Sequence, residues 1–229
     1  MLSLNHILPI FAERLGKLQS AMAQLDKDHG AAPLMGRTRM QAALPITVSD
    51  RLSSWSLPVT DHLTRLHEMS PRLLRLQCGG PVGISSGDNL AAHLGLVAPA
   101  KSWHAMRDGF GELAGWLSLV SGSLGKIGMD ISLMAQQGFD EISLVGGGSS
   151  SAMPHKQNLI LAELLVTLAR YNATQVSGMH QALVHEQERS GAAWALEWMI
   201  LPNMLNATAR SLSAALELIA QVEKMRTNR

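Results

Sequence analysis

Apolar residues recur along this chain at steps of three and four, and that spacing organises most of it. Leu4, Ile7, Leu8, Phe11, Leu15, Leu18, Met22 and Leu25 share one face of a helix about seven turns long. His29-Gly30 closes that helix, and Pro33 prevents its resumption. A second apolar segment starts near Met40 and is expected to be helical, with Pro45 at a kink or near its first turn. Pro58 and Pro71 are expected to divide the helical stretch that follows. The run Cys78-Gly79-Gly80-Pro81-Val82-Gly83 reads as a tight loop, and Asp88 to Leu96 as a short helix. The longest pattern begins near Ser102 and passes through Trp103, Met106, Phe110, Leu113, Leu117, Val120, Leu124, Ile127, Ile131 and Met134. It predicts a helix of roughly 50 Å. Two further apolar stretches run from Leu159 to about Leu183 and from Trp198 to Val222, the latter with Pro202 near its start.

Strand signals are scarce. Aromatic residues are few, and alternating runs flanked by Asn-Gly or Asp-Gly are absent. The expected fold is therefore all-α, a bundle of long helices joined by short loops. The segment Gly146-Gly147-Gly148-Ser149-Ser150-Ser151 has neither bulk nor an apolar anchor, and is expected to be the most mobile internal stretch.

Composition narrows the function. Of 229 residues 46% are hydrophobic and only 16% charged, so a large core is available and surface is expected to be buried against copies of the same chain. The net charge is +1, and no block of Lys or Arg interleaves with aromatics, which argues against nucleic acid. No run of 18 apolar residues spans a membrane, and the start lacks the basic region of a signal peptide, so the chain reads as cytoplasmic. The single cysteine, Cys78, excludes an intrachain disulfide framework and reads as a small buried thiol.

The chemistry concentrates in Gly148-Ser149-Ser150-Ser151-Ala152-Met153-Pro154-His155-Lys156-Gln157-Asn158. A Gly/Ser loop here runs toward an apolar helix, and Pro154 suits a first helical turn. Exposed N–H groups at that start, with Lys156 and Asn158 beside them, suit a carboxylate. A serine on a closable loop would then have something to act on.

This stretch resembles the signature loop of the fumarase/aspartase superfamily, Gly-Ser-Ser-x-Met-Pro-x-Lys-x-Asn, matching it from Ser150 to Asn158. The pattern's glycine falls on Ser149. Gly36-Arg37-Thr38-Arg39-Met40-Gln41 resembles the superfamily's Gly-Arg-Thr-His-x-Gln, with Arg39 at the histidine position. The carboxymuconate cycloisomerases of the superfamily also lack that histidine. Trp103-His104-Ala105-Met106-Arg107-Asp108 is similar to their Trp-His-Thr-x-Arg-Asp, and the stretch from His185 to Trp194 to their Glu-His-Glu-Arg-x-x-Gly-x-Trp.

The resemblance implies a cofactor-free cycloisomerase of aromatic-acid (protocatechuate) catabolism that acts on a small polycarboxylate. Ser150 would exchange a proton with substrate carbon. Lys156, Asn158, Ser151, Arg37, Arg39, His104, Arg107 and Arg189 would hold the substrate. No metal is implied. The blander expectations are that Arg39 is a solvated helix-end charge, that Arg107 pairs with Asp108 or Glu112, and that Arg189 pairs with a neighbouring glutamate. The resemblance covers the chain from end to end and identifies it as the central helical domain of a family protein, without the family's N-terminal and small C-terminal domains. It also implies a homotetramer held by the long helices, chiefly the one starting near Ser102. An adenylosuccinate-type lyase and a non-catalytic helical assembly fragment are the alternatives.

Overall fold

The computed structural model describes residues 1–83, 88–146, 148–149 and 157–227. Helix α1 spans Leu2–His29 and buries Leu4, Leu8, Phe11, Leu15, Leu18, Met22 and Leu25, the face read from the sequence. The next segment departs from expectation. Residues after Met40 do not begin a helix: β1 (Pro33–Thr38) and β2 (Gln41–Thr47) form an antiparallel hairpin. Pro45 sits in this ribbon of only two strands, where a missing N–H donor is tolerated at an edge. Thr38 pairs with Gln41, leaving Arg39 and Met40 as a two-residue turn. Their φ values are +49° and +66°, so two residues with full side chains occupy the left-handed region that Asn-Gly usually fills. Each costs about 1–2 kcal/mol of backbone strain.

Helix α2 (Val48–Leu73) starts from a reciprocal cap: Thr47 Oγ1 accepts from the Asp50 N–H at 3.1 Å, and the Asp50 carboxylate accepts from the Thr47 N–H at 2.8 Å. These bonds hold the Asp50 carboxyl below its ordinary pKa. Pro58 and Pro71 lie inside α2 and do not divide it, because Trp55, Val59, His62, Leu66 and Met69 keep one continuous buried face across Pro58. Helix α3 is Asp88–His93. Helix α4 (Asp108–Met134) begins six residues later than expected; its 27 residues make a rod of about 40 Å. Short strand β3 (Ile142–Leu144) and the two-residue strands β4 (Gly148–Ser149) and β5 (Gln157–Asn158) follow, with β4 paired to β5. Helix α5 is Ile160–Gln181, and α6 is Gly191–Ala220, capped by Ser190. β6 (Val222–Met225) pairs with β3. The fold is thus the expected helical bundle, with three two-stranded ribbons added among the described residues.

Helix α4 is the central rod. Leu113, Leu117, Val120, Leu124, Ile127 and Ile131 are fully enclosed. It lies antiparallel to α5, and two glycines permit the close approach. A Cβ on Gly128 would meet the Ala162 carbonyl at 2.5 Å, and one on Gly125 would meet the Ala169 methyl at 2.5 Å. Helix α2 also runs antiparallel to α4, since Trp55 reaches Asp130 at one end and Arg72 reaches Glu112 at the other. Asn172 of α5, wholly buried, donates to Ser121 of α4 at 3.0 Å and Thr208 of α6 at 2.9 Å, tying the three helices in one register. The bundle therefore has two ends: one holds the start of α4, the other its finish with the β1–β2 hairpin.

Candidate active site

At the finish of α4 the hairpin turn overhangs a cavity of about 650 Å³. Its polar lining is Arg37, Arg39, Arg51, Lys126, Asp130, Gln136 and Glu141; Met40, Leu133, Met134 and Phe139 supply an apolar wall. Both carboxylates are already engaged. Glu141, 3% exposed in its side chain, accepts from Arg37 Nη1 through both oxygens at 2.7 and 2.8 Å. Asp130 accepts from Trp55 Nε1 at 2.7 Å and pairs with Lys126. Arg37 also lies over the Phe139 ring, 4.5 Å from its centre. Four cations face two neutralised acids, so the cavity is left electropositive.

The sequence located Arg37 and Arg39 but not their surroundings. Arg39 is not a helix-end charge; it is on a strained hairpin turn. Glu141 and Trp55 went unread because their partners are 104 and 75 residues away, and Arg51, Lys126 and Asp130 because no motif marks them.

Asn158 is also at this end. It was expected in the first turn of a helix, and it is in β5, opposite Gly148; α5 begins only at Ile160. Asn158 lines a cleft of about 240 Å³ with Gly146, Leu161, Glu217 and Gln221. Ser150, Ser151, Pro154 and Lys156 lie outside the described residues, as does half of the Gly146 to Ser151 stretch expected to be mobile.

The other three nominated residues are at the opposite end, about 40 Å away along α4. His104 is buried. Arg189 Nη2 donates to the Gly80 carbonyl at 3.1 Å and lies 3.1 Å from His104 Nε2. His104 Nε2 also lies 3.1 Å from the Gly80 carbonyl, so a donor and an acceptor both face that nitrogen. Nδ1 contacts the Gln77 amide, whose Oε1 has no partner as oriented. Arg189 also packs over Trp194, 5.1 Å from its ring centre, and makes no salt bridge with Glu186 or Glu188.

Arg107 pairs with neither Asp108 nor Glu112. Its Nε and Nη2 hold the two oxygens of Glu197 at 2.9 and 2.5 Å, and Glu112 instead takes Arg72. The guanidinium packs against both Trp103 and Phe110, whose rings also touch each other. Nearby, burial and then the Arg107 charge push the His185 imidazole below its ordinary pKa; both of its ring nitrogens are buried without partners. Cys78, expected to be buried, is exposed.

Comparison with known proteins gives this arrangement its class. A family model described as "Lyase" matches residues 2–178, and the chain belongs to that family. It is 36% identical to a 3-carboxy-cis,cis-muconate cycloisomerase of Pseudomonas aeruginosa, over 100% of this chain and 53% of the relative. A protein of the same name from Pseudomonas putida is 34% identical over 100% of this chain and 58% of its own length. Among solved structures, the 3-carboxy-cis,cis-muconate lactonizing enzyme of Pseudomonas putida superposes with a TM-score of 0.91 at 35% identity, covering 97% of this chain and 52% of that one. A fumarate lyase from Mesorhizobium sp. BNC1 gives 0.88 at 29% identity, covering 98% and 52%. The chain thus spans about half the length of the relatives it matches.

Proposed function

We propose that this chain is the central helical domain of a cytoplasmic, cofactor-free 3-carboxy-cis,cis-muconate cycloisomerase. One carboxylate oxygen of the substrate attacks the diene carbon β to another carboxylate. The displaced electron pair moves onto that second carboxylate as an enediolate. A proton then reaches the α-carbon, leaving an unsaturated lactone. The protein must neutralise a polyanion, hold the extra charge of the enediolate and deliver one proton. Ser150 would deliver that proton, while Lys156, Ser151 and Asn158 would hold a carboxylate.

The observation that carries this reading is the electropositive cavity at Arg37 and Arg39. It has the size and the mixed cationic and apolar lining that a small organic polyanion requires. Arg39, at the position of the superfamily's histidine, keeps its charge and cannot donate a proton to an amine leaving group, which weighs against an adenylosuccinate-type reaction. The names of the relatives point the same way.

Arg37, Arg39 and Asn158 are separated from His104, Arg107 and Arg189 by the length of the bundle, so one copy alone does not bring them onto one substrate. A homotetramer in which several copies contribute to each site resolves this. The apolar side chains of Leu119, Met129 and Leu133 that α4 leaves exposed are where such copies would meet. Sedimentation should then show tetramers, and a stable monomer at micromolar concentration would end that part of the reading. The activity test is an assay of a full-length parent with carboxymuconate and adenylosuccinate side by side. Loss of carboxymuconate absorbance supports the proposal. Fumarate release from adenylosuccinate, or no reaction with either, overturns it. In an active parent, Ser150→Ala should cut turnover by roughly 10²-fold or more with little change in substrate affinity.

A further inference from the structure

The cavity at the finish of α4 has a cation that neither the motifs nor the family resemblance singles out. Arg51 lies in the first turn of α2, half-buried, and lines the cavity with the hairpin turn. We propose that Arg51 is a substrate-binding residue, holding one carboxylate of an unsaturated organic polyanion against the apolar wall of Met40, Leu133, Met134 and Phe139. This rests on the polycarboxylate reading above and adds a residue and a selectivity to it.

Three observations carry the argument. First, the four cations are not equivalent. Arg37 is committed to Glu141, and Lys126 to Asp130, which Trp55 also fixes. Arg51 and Arg39 make no salt bridge among the described residues, so the unbalanced charge of the cavity rests on them. A pair of uncompensated guanidinium groups around one space is the arrangement that a carboxylate completes, through forked N–H donors. Second, the turn that projects Arg39 into the lining is held at positive φ in both central residues. Backbone strain of that kind persists where the surrounding structure fixes it, and it clusters at ligand sites. Third, the wall chemistry selects among anions. Two methionines, a leucine and the exposed Phe139 ring offer nothing to inorganic phosphate, but they suit a planar carbon skeleton.

The test uses propane-1,2,3-tricarboxylate as an unreactive probe, with binding followed by calorimetry. Binding should be saturable and salt-sensitive, and tighter than that of inorganic phosphate. Arg51→Gln should weaken it by about 10- to 100-fold, the scale of a lost charge-assisted hydrogen bond. Arg51→Lys should recover part of the loss. Lys17→Gln, at an exposed helix cation paired with Glu13 far from the cavity, should change nothing. In a full-length active parent, Arg51→Gln should raise KM more than it lowers kcat. The proposal is overturned if wild type fails to bind the tricarboxylate, if phosphate binds equally well, or if folded Arg51→Gln and Arg51→Lys both bind like wild type. The two readings fail separately. Arg51-dependent tricarboxylate binding without carboxymuconate turnover in the parent removes the cycloisomerase reading alone. Turnover indifferent to Arg51 removes this one alone.

Discussion

Two arginine–glutamate pairs, one at each end of the bundle, use the same two residue types in different ways. Arg107 and Glu197 are 7% and 4% exposed, with Nε and Nη2 of the guanidinium each meeting one carboxylate oxygen, and with Trp103 and Phe110 packed on the guanidinium. Arg37 is 25% exposed and meets Glu141 with Nη1 alone, so its Nε and Nη2 remain uncommitted to that carboxylate. The first geometry consumes a planar fork and seals it in. The second neutralises a buried acid while keeping donors directed to a cavity. A buried ion pair is weak evidence for a functional site; what distinguishes a strut from a binding frame is which guanidinium edge is left over.

The largest expected effect breaks the sealed pair. Glu197→Ala leaves Arg107 charged, enclosed and unpartnered, which should cost about 3–5 kcal/mol. In a chain of this size that lowers Tm by about 6–20 °C. Glu141→Ala should cost about 1–2 kcal/mol, because Arg37 can turn toward the water-filled cavity. Thermal melts of both variants decide the matter, and equal losses would erase the distinction drawn between the two ends.

Midway between the ends, His62 gives the bundle an acid-sensitive contact. It is 3% exposed on α2, with Nε2 2.9 Å from Ser123 of α4 and Nδ1 3.2 Å from Arg65. Burial first, then the charge of Arg65, lowers its pKa to about 4. Its folded pKa is depressed, so the unfolded chain takes up the proton first as pH falls. Stability from this group is present above about pH 6.5 and is lost progressively down to about pH 4. The loss is on the order of 3 kcal/mol. His62→Gln should flatten the slope of stability against pH between those limits, and an unaltered slope would place the acid sensitivity elsewhere.

How much of this was legible in the sequence follows from how local each feature is. The buried face of α1 is written in spacings of three and four and appears as read, with Ile7 half-buried; that of α4 appears from Phe110 to Met134, while Trp103 and Met106 precede the helix and Met106 is exposed. The hairpin is not legible in the same way. Residues Gln41 to Pro45 of β2 are all exposed, so no alternation of burial marks the strand, and the turn carries Arg-Met where Asn-Gly would announce it. The site divides along the same line. Arg37 and Arg39 were visible in a contiguous motif. Glu141 and Glu197, which decide what Arg37 and Arg107 can do, are 104 and 90 residues from their partners and have no local signature.

The smallest expected effect sharpens the contrast at the open end, where stability and binding should pull apart. Arg39 and Met40 both hold positive φ, +49° and +66°. Met40→Gly removes the Cβ that disfavours this backbone, and leaves Arg39 in place. It should raise stability by about 1 kcal/mol, less whatever the freer unfolded chain takes back, and should lower tricarboxylate affinity only by the loss of one apolar wall contact, less than the loss of a cation does. Arg39→Asn also relieves the turn, because asparagine tolerates the left-handed region, but it deletes a cation from the cavity lining. Its stability should rise by a similar amount while tricarboxylate affinity falls. The double variant, with Asn-Gly at the turn, should melt highest and bind weakly. If all three variants melt at the wild-type temperature, the turn is not strained. If Arg39→Asn binds as well as Met40→Gly does, the arginine is there for some reason other than charge. A rise in Tm coupled to a fall in affinity, largest in the variants lacking Arg39, would mean that a left-handed arginine is kept at the turn for binding at a cost in stability.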